Sequence, residues 1–337
     1  IDEYEDATGI DAGNSTNEIL ASGVYQGKTG TNPTGATSTD TSVAGYRIEV
    51  LSAASGSLVI PSSGNVDILV VGGGGSGGNS YGGGGGAGGL IYKAAHALTA
   101  QTYAWVTGAG GAGQTSNTSR GNSGADSTWT DAGASVEFTA KGGGGGAEQN
   151  TAAVDGGSGG GSGHSTINKG DEIQSAQSGD SATYGFGFDG GQGVGGPNYN
   201  TGGGGGAGSI GQSGTTAKSG DGGTGKDYSA IFGTAVGDSG WFASGGGGAW
   251  TNDGTSVVGT ASSGGGTDGG TGSPGSNSSA AAANTGGGSG GTSHDGDCGA
   301  GGSGIILVRY ATNAFKTAGD LTLQSTANTA SSAATKA

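Results

Sequence analysis

The chain has one cysteine, four prolines and only 11 lysines and arginines among 337 residues, and each scarcity excludes something. A single thiol, Cys298, cannot build an internal disulfide framework. So few prolines, with no Gly-X-Y register, exclude a collagen triple helix. The 11 dispersed cations face 26 acids, giving a net charge of −15 and no basic patch, so nucleic acid is not an expected partner. No apolar run approaches the roughly 18 residues of a membrane-spanning helix, and the first residues lack the basic-then-apolar pattern of a signal peptide. Leucine is missing between Thr139 and Ser303 and Ile and Val are scattered there, so an ordinary side-chain core is not expected in the middle of the chain.

What the sequence has in abundance is glycine, 88 residues of it. Runs stand at Gly72–Gly75, Gly82–Gly86, Gly142–Gly146, Gly202–Gly206 and Gly245–Gly248. Fixing a glycine costs more backbone entropy than fixing any other residue, so an ordered quarter-glycine chain needs a structure built on the missing side chain. Glycine with serine and no strict repeat is the composition of flexible linkers. The fixed order of the runs and the strand-like segments that bracket them argue instead for a scaffold. Interior glycines weaken both helices and strands. The remaining regular conformation is the extended left-handed helix, with three residues per turn and about 3.1 Å rise. It has no internal hydrogen bonds, so several such helices packed side by side must bond each other's backbones, helped by Cα–H···O contacts. The expected fold class is therefore mainly irregular and β: a bundle of polyglycine-II helices capped by short strands, with almost no α-helix.

The capping strands are legible as β-branched runs. Val66–Val71 and Ile305–Tyr310 have strand length and bracket the glycine region, which predicts that they pair or neighbour in one small sheet. Tyr103–Thr107 and Val136–Thr139 alternate as half-buried strands do. Tyr46–Leu51 and Ser57–Ile60 give a weaker β signal, and Leu321–Gln324 one strand-like stretch. Lys93–Leu98 reads as one helical turn. These signals predict a β-rich segment at 1–63, the glycine-rich domain at 64–310, and a linker or the start of a further β domain at 311–337. Both ends are expected to belong to a longer polypeptide.

Glycine-rich sequence also generates motifs without their context. Gly72-x-Gly74-x-x-Gly77 follows a strand but leads into Asn79-Ser80-Tyr81 and more glycine, not into the helix of a dinucleotide site. Gly220–Lys226 starts like a phosphate loop, with Asp227 where a metal-binding hydroxyl belongs. Gly74–Gly78 and Gly156–Gly160 match G-x-S-x-G without a strand-to-helix turn. Gly222–Asp227 resembles part of a calcium-binding nonapeptide that occurs once, with Ser229 where an aliphatic residue should plug the coil. Asp295, Asp297, His294 and Cys298 gather potential ligands in five residues, a pattern that also describes a polar turn, and His96, His164 and His294 share no zinc spacing. Neither cofactor nor metal is expected, and the chain reads as a non-enzyme. A hydrolase would need paired carboxylates about 5 to 10 Å apart. Glu148, Asp155, Asp171, Glu172 and Asp189 are the acids near the aromatic loops, and the sequence does not pair them.

The remaining signal is aromatic. Tyr184, Phe186, Phe188, Tyr199, Tyr228, Phe232 and Trp250 fall between glycine runs, where rings on loops of a rigid scaffold suit recognition. The competing reading is that they cover the sides of the glycine helices as a local core, and Trp241-Phe242 is the pair best suited to packing.

Ile68-Leu-Val-Val-Gly-Gly-Gly-Gly75, Gly82–Gly89, Val106-Thr-Gly-Ala-Gly-Gly-Ala-Gly113, Thr139–Ala147 and the closing Gly-Ala-Gly-Gly-Ser-Gly-Ile-Ile-Leu-Val-Arg-Tyr310 together resemble the glycine-rich domain of bacteriophage tail and tail-fibre proteins. The resemblance covers about residues 64–310. It is similar in order and flanking strands to the receptor-binding adhesins of T-even-type long tail fibres, which stack glycine helices into a sandwich and bind outer-membrane proteins through variable loops at one end. Residues 1–63 do not match the attachment domain of those adhesins. The resemblance implies an extracellular virion protein of the tail or fibre. Its expected partners are a bacterial outer-membrane protein or surface glycan and other virion tail proteins. A homotrimer is also among them, since such fibres are often trimeric, although no coiled-coil heptad is present. By the same analogy, segments 147–201, 207–244 and 249–263 supply the exposed loops. The alternative is a purely structural fibre, decoration or other extracellular filament protein without receptor specificity. An ice-binding protein ranks last, because the runs are continuous and irregularly spaced and form no flat face with glycine at every third residue.

Overall fold

A computed structural model describes residues 17–19, 25–29, 31–115, 119–133, 135–164, 168–196, 199–250, 257–271 and 275–318. Its β-strands are β1 (Asn17–Ile19), β2 (Tyr25–Thr29), β3 (Ser38–Asp40), β4 (Tyr46–Leu51), β5 (Ser55–Ile60), β6 (Gly64–Val71), β7 (Leu90–Leu98), β8 (Gln101–Val106), β9 (Ser127–Thr130), β10 (Val136–Ala140), β11 (Gly185–Phe186), β12 (Lys226–Asp227), β13 (Trp241–Phe242), β14 (Ile305–Ala311) and β15 (Thr317–Ala318). Helix is limited, among the described residues, to two single turns, α1 (Asp180–Thr183) and α2 (Ser229–Phe232). The class is thus mainly β and irregular, as expected. Antiparallel pairings build a six-stranded sheet in the order β11-β7-β6-β14-β4-β3, a four-stranded sheet β10-β9-β8-β5, the three-stranded β1-β2-β15 and the two-stranded β12-β13. The strand-like stretch expected at Leu321–Gln324 lies outside the described residues.

The two bracketing strands pair directly, Ile305 opposite Val71 and Arg309 opposite Asp67. Their continuous apolar runs follow from burial on both faces. Along β6, Val66, Ile68 and Val70 point into one core with the rings of the four-stranded sheet, Tyr103, Trp105, Trp129 and Phe138. Leu69 and Val71 point into a second core with Tyr228, Phe232 and Phe242. Residues at period two therefore part company across the sheet, and neither face is left for polar residues. At the polar end, Arg309 pairs with Asp67 at 2.6 Å and lies 3.4 Å over the Tyr46 ring. The buried Glu49 accepts from the Tyr310 hydroxyl and, at 2.7 Å, from Thr39.

One expectation is corrected here. Lys93–Leu98 is not a helical turn but the second half of β7. Asp67 faces two residues, Ala94 and Ala95, between the pairs Val66–His96 and Ile68–Lys93. Ala95 takes φ 51° and donates its N–H to the Asp67 carboxylate at 3.1 Å. The alanines that suggested helix therefore form a β-bulge. Before residue 63, β4 pairs with β14 and β5 pairs with β8 along their lengths.

From the sheets the chain makes repeated excursions through the glycine runs, and these runs follow a rule of three. Along 72–79, the amides of Gly72, Gly75 and Gly78 donate to Gly89, Gly86 and Gly83, and those of Gly73, Ser76 and Asn79 donate to Ala125, Asn122 and Ser119. Along 82–88, Gly83 and Gly86 donate to Ala147 and Gly144, Gly84 and Ala87 to Gly202 and Gly205, and Gly82, Gly85 and Gly88 to Thr292, Ser289 and Gly286. Each run thus bonds several neighbours, each contacted at every third residue. Glycine is needed for closeness: a Cβ on Gly74 would lie 2.1 Å from the Gly287 carbonyl oxygen. Serines replace glycine where a hydroxyl can bridge. Ser127 accepts from the Gly108 amide at 2.8 Å and donates to the Val71 carbonyl at 2.6 Å. At several flanks aspartates take over as acceptors: Asp126 caps the Gly142 amide, Asp221 that of Thr260, Asp238 that of Gly264 and Asp268 that of Ala261. Much of the acidity is therefore spent on unpaired backbone N–H groups.

Candidate functional site

The excursions define two ends of the bundle. At one end, runs meet the strands; at the other, they turn back on themselves. Gly78 bonds Gly83 across the turn that holds Ser80 and Tyr81, both in left-handed conformation with φ 49° and 58°. His164 follows the run that ends at Gly163, Tyr199 (φ 52°) precedes the run that starts at Gly202, and His294 and Asp295 (φ 65°) form the turn after Ser293. Non-glycine residues rarely adopt positive φ, and such positions concentrate at turns and functional sites.

These turns are distant in sequence and adjacent in space. The Tyr81 ring centroid lies 5.1 Å from that of His164 and 6.0 Å from that of His294, and His164 lies 4.8 Å edge-on from Tyr199. His164 is buried between the two tyrosines, while Tyr199 is 45% exposed. Burial pushes the His164 imidazole below its usual value, more than its backbone hydrogen bond and the nearby Glu148 raise it. It is therefore a neutral ring at pH 7. His294 lies at the surface with Nδ1 2.8 Å from the Asp295 carboxylate. The cluster combines two tyrosine rings, two imidazoles and the Asp295 carboxylate on turns braced by the glycine runs. Such an array can stack on and hydrogen-bond a partner.

The structure divides the seven aromatic candidates. Tyr199 stands in the distal cluster, and the half-buried Trp250 ends the outgoing run 244–249, its amide bonded to Gly270 at 3.4 Å. Tyr184 and Phe186 are half-buried at the sheet end: the Tyr184 carbonyl accepts from the Tyr92 amide, and Phe186 belongs to β11 beside β7. Phe188 is 36% exposed on the flank. Tyr228 and Phe232 are buried, 6% and 0% exposed, and pack as a local core would. Segment 226–243 folds back through β12, α2 and β13 to cover the outer face of the six-stranded sheet, which would otherwise expose Leu69, Val71 and Leu307. Phe242 is likewise fully buried.

Tyr81, His164 and His294 were missed as a group because no spacing links them. The available signal was their position, each a bulky residue at a break between glycine runs. Of the acids considered for hydrolysis, Asp171 and Asp189 meet at Lys169, each 2.7 Å from its amine. Asp155 and Asp189 are further occupied by the amides of Asp171 and Glu172. Among the described residues no group of three His, Cys, Asp or Glu side chains is placed to hold a metal ion.

A family model for a glycine-rich domain matches residues 49–311, which span both bracketing strands and every run between them. The chain belongs to this glycine-rich domain family. No curated protein matches the chain.

Proposed function

We propose that the chain is a bacteriophage virion protein, a tail-fibre or tail-tip component, that presents its distal turns to a bacterial surface receptor. In this reading the glycine runs are polyglycine-II helices. Support comes from their hydrogen bonds, which return to the same neighbour every three residues, the number in one turn of that helix. The observation that carries the receptor reading is the ring cluster Tyr81–His164–Tyr199–His294, assembled from separate turns at the end away from the sheets. Rings offer contact area at low entropic cost, and the bonded runs behind them hold that surface in place before binding. The partner is an outer-membrane protein or surface glycan. The sheet end faces the other tail proteins, with a homotrimer as the expected assembly.

The test is adsorption of virions carrying Tyr199→Ala and His294→Ala to a panel of bacterial strains. The expected result is adsorption reduced about tenfold or more, with normal particle assembly, as for loss of central interface rings. Unchanged adsorption and host range would return the chain to the second reading, a purely structural spacer. That reading draws its support from the hydrogen-bonded runs themselves, which need no ligand to explain them.

A further inference from the structure

A second feature lies at the opposite end from the ring cluster, and it does not depend on the receptor reading. Where run 218–225 enters β12, the surface opens into a pocket of about 610 Å³ lined by Phe186, Thr224, Lys226, Asp227, Tyr228 and Trp241, with glycine backbone between them. It is a shallow depression open to solvent and not an enclosed cavity. The apolar lining is aromatic, and Lys226 supplies one cation.

Lys226 differs from its counterparts. Lys93, Lys141, Lys169 and Lys218 each form an ion pair with aspartate. The Lys226 amine instead sits 3.8 Å from the Phe186 ring centroid. Its neighbour Asp227 turns to α2, accepting from the Ser229 amide at 2.8 Å. Burial lowers the Lys226 amine from its ordinary value, with no carboxylate raising it. In a chain with net charge −15, the Lys226 amine thus stands at the pocket over a ring and not on a carboxylate.

We propose that this pocket binds a carboxylate-bearing pyranose, a uronic acid or similar acidic sugar unit, with its carboxylate on Lys226 and an apolar ring face against the half-buried Trp241. An indole suits the C–H face of a pyranose, whereas a bare inorganic anion would leave Trp241 unused. Thr224 and the exposed Asp227 carboxylate offer partners for hydroxyl groups.

The full chain is titrated with methyl glucuronide, methyl glucoside and inorganic phosphate, followed by tryptophan fluorescence and by ligand-observed NMR. The glucuronide is expected to bind about tenfold or more tightly than either control, and Lys226→Gln to remove that advantage, as for loss of a charge-assisted hydrogen bond. Trp241→Ala should weaken binding of the glucuronide. Because that variant also disturbs β13, a wild-type measurement accompanies it. Amine-selective acylation of Lys226, read by peptide mass spectrometry, should be slowed by methyl glucuronide and not by methyl glucoside. Equal affinity for phosphate would reduce the site to a generic anion contact. That result, or unaltered binding by Lys226→Gln, or acylation unaffected by the glucuronide, would overturn the proposal.

Discussion

A side chain on Gly84 would begin 2.0 Å from the carbonyl oxygen of Gly246. Neither backbone is free to retreat, since Gly84 donates to Gly202 at 3.1 Å and Gly246 donates to Gly85 at 2.9 Å. Gly84→Ala must therefore separate runs whose hydrogen bonds hold them together. The expected cost is at or beyond the upper end of the roughly 1–3 kcal/mol of core overpacking. Gly195→Ala is the control, because a Cβ there meets nothing within 4 Å and the residue is exposed. It should change stability by less than about 0.5 kcal/mol. Denaturant unfolding of both variants measures the difference, and equal stabilities would contradict a core of backbone against backbone.

Ser289 shows how side chains enter such a core. Its hydroxyl accepts from the Gly77 amide at 3.0 Å and donates to the Gly299 carbonyl at 2.6 Å, joining three runs. Ser289→Ala leaves a buried amide without its acceptor, which costs about 1–3 kcal/mol. Ser289→Gly should cost no less, because the lost bonds are the same. Equilibrium unfolding of the two variants checks this, and a neutral alanine variant would rule out the bridge as a stabilising contact.

The sequence made some of this architecture legible and hid the rest for physical reasons. Val66–Val71 and Ile305–Tyr310 were readable as partners because a β-branched run flanked by glycine has few other uses. The runs were readable as scaffold because glycine suits little else when ordered. Which run touches which was not readable: Gly84 and Gly85 are chemically identical, yet one donates to Gly202 and the other to Ser289. Ordinary cores encode register in side chains, and these runs have almost none. The same cause hid the placement of Tyr228 and Phe232, since local composition did not say that segment 226–243 returns to the sheet. It also hid the distal cluster, whose members share a location but no motif.

Acid should weaken the bundle at its flanks. Partial burial alone would raise Asp189 and Asp221, but hydrogen bonds outweigh it and hold both carboxyls below the ordinary carboxylate range. For Asp189 the donors are the Lys169 amine and the Glu172 amide, and for Asp221 the Lys218 amine and both donors of Thr260. A carboxyl that is more acidic folded than unfolded binds fewer protons in the folded state. Its contribution is present above the unfolded value, near 3.9, and disappears as pH falls through the folded one. The thermal midpoint is thus expected to stay level from neutral pH to about 5 and to fall below about 4. The Asp189→Asn, Asp221→Asn double variant should have a lower plateau and a shallower fall. An identical pH profile for the double variant would exclude these carboxylates as the cause.

Cys298 offers a probe of whether the runs open. Burial pushes its thiol up to about 12, more than hydrogen bonds from Thr292 and Ser278 lower it. The thiol is 4% exposed and donates to the Gly78 carbonyl at 3.0 Å, tying the last run to the first. At pH 8 the thiol is therefore almost entirely protonated, and the thiolate is the reactive form. A disulfide reagent should therefore leave the native protein unmodified and titrate one thiol after denaturation. Any slow native reaction then reports opening of run 297–304 away from 72–78, because the sulfur must leave Gly78 before it can be attacked. Gly84→Ala, which strains the same bundle, should accelerate that reaction, whereas Gly195→Ala should not. Rapid labelling of the native wild-type chain would show that the runs around Cys298 are not held closed by their shared hydrogen bonds.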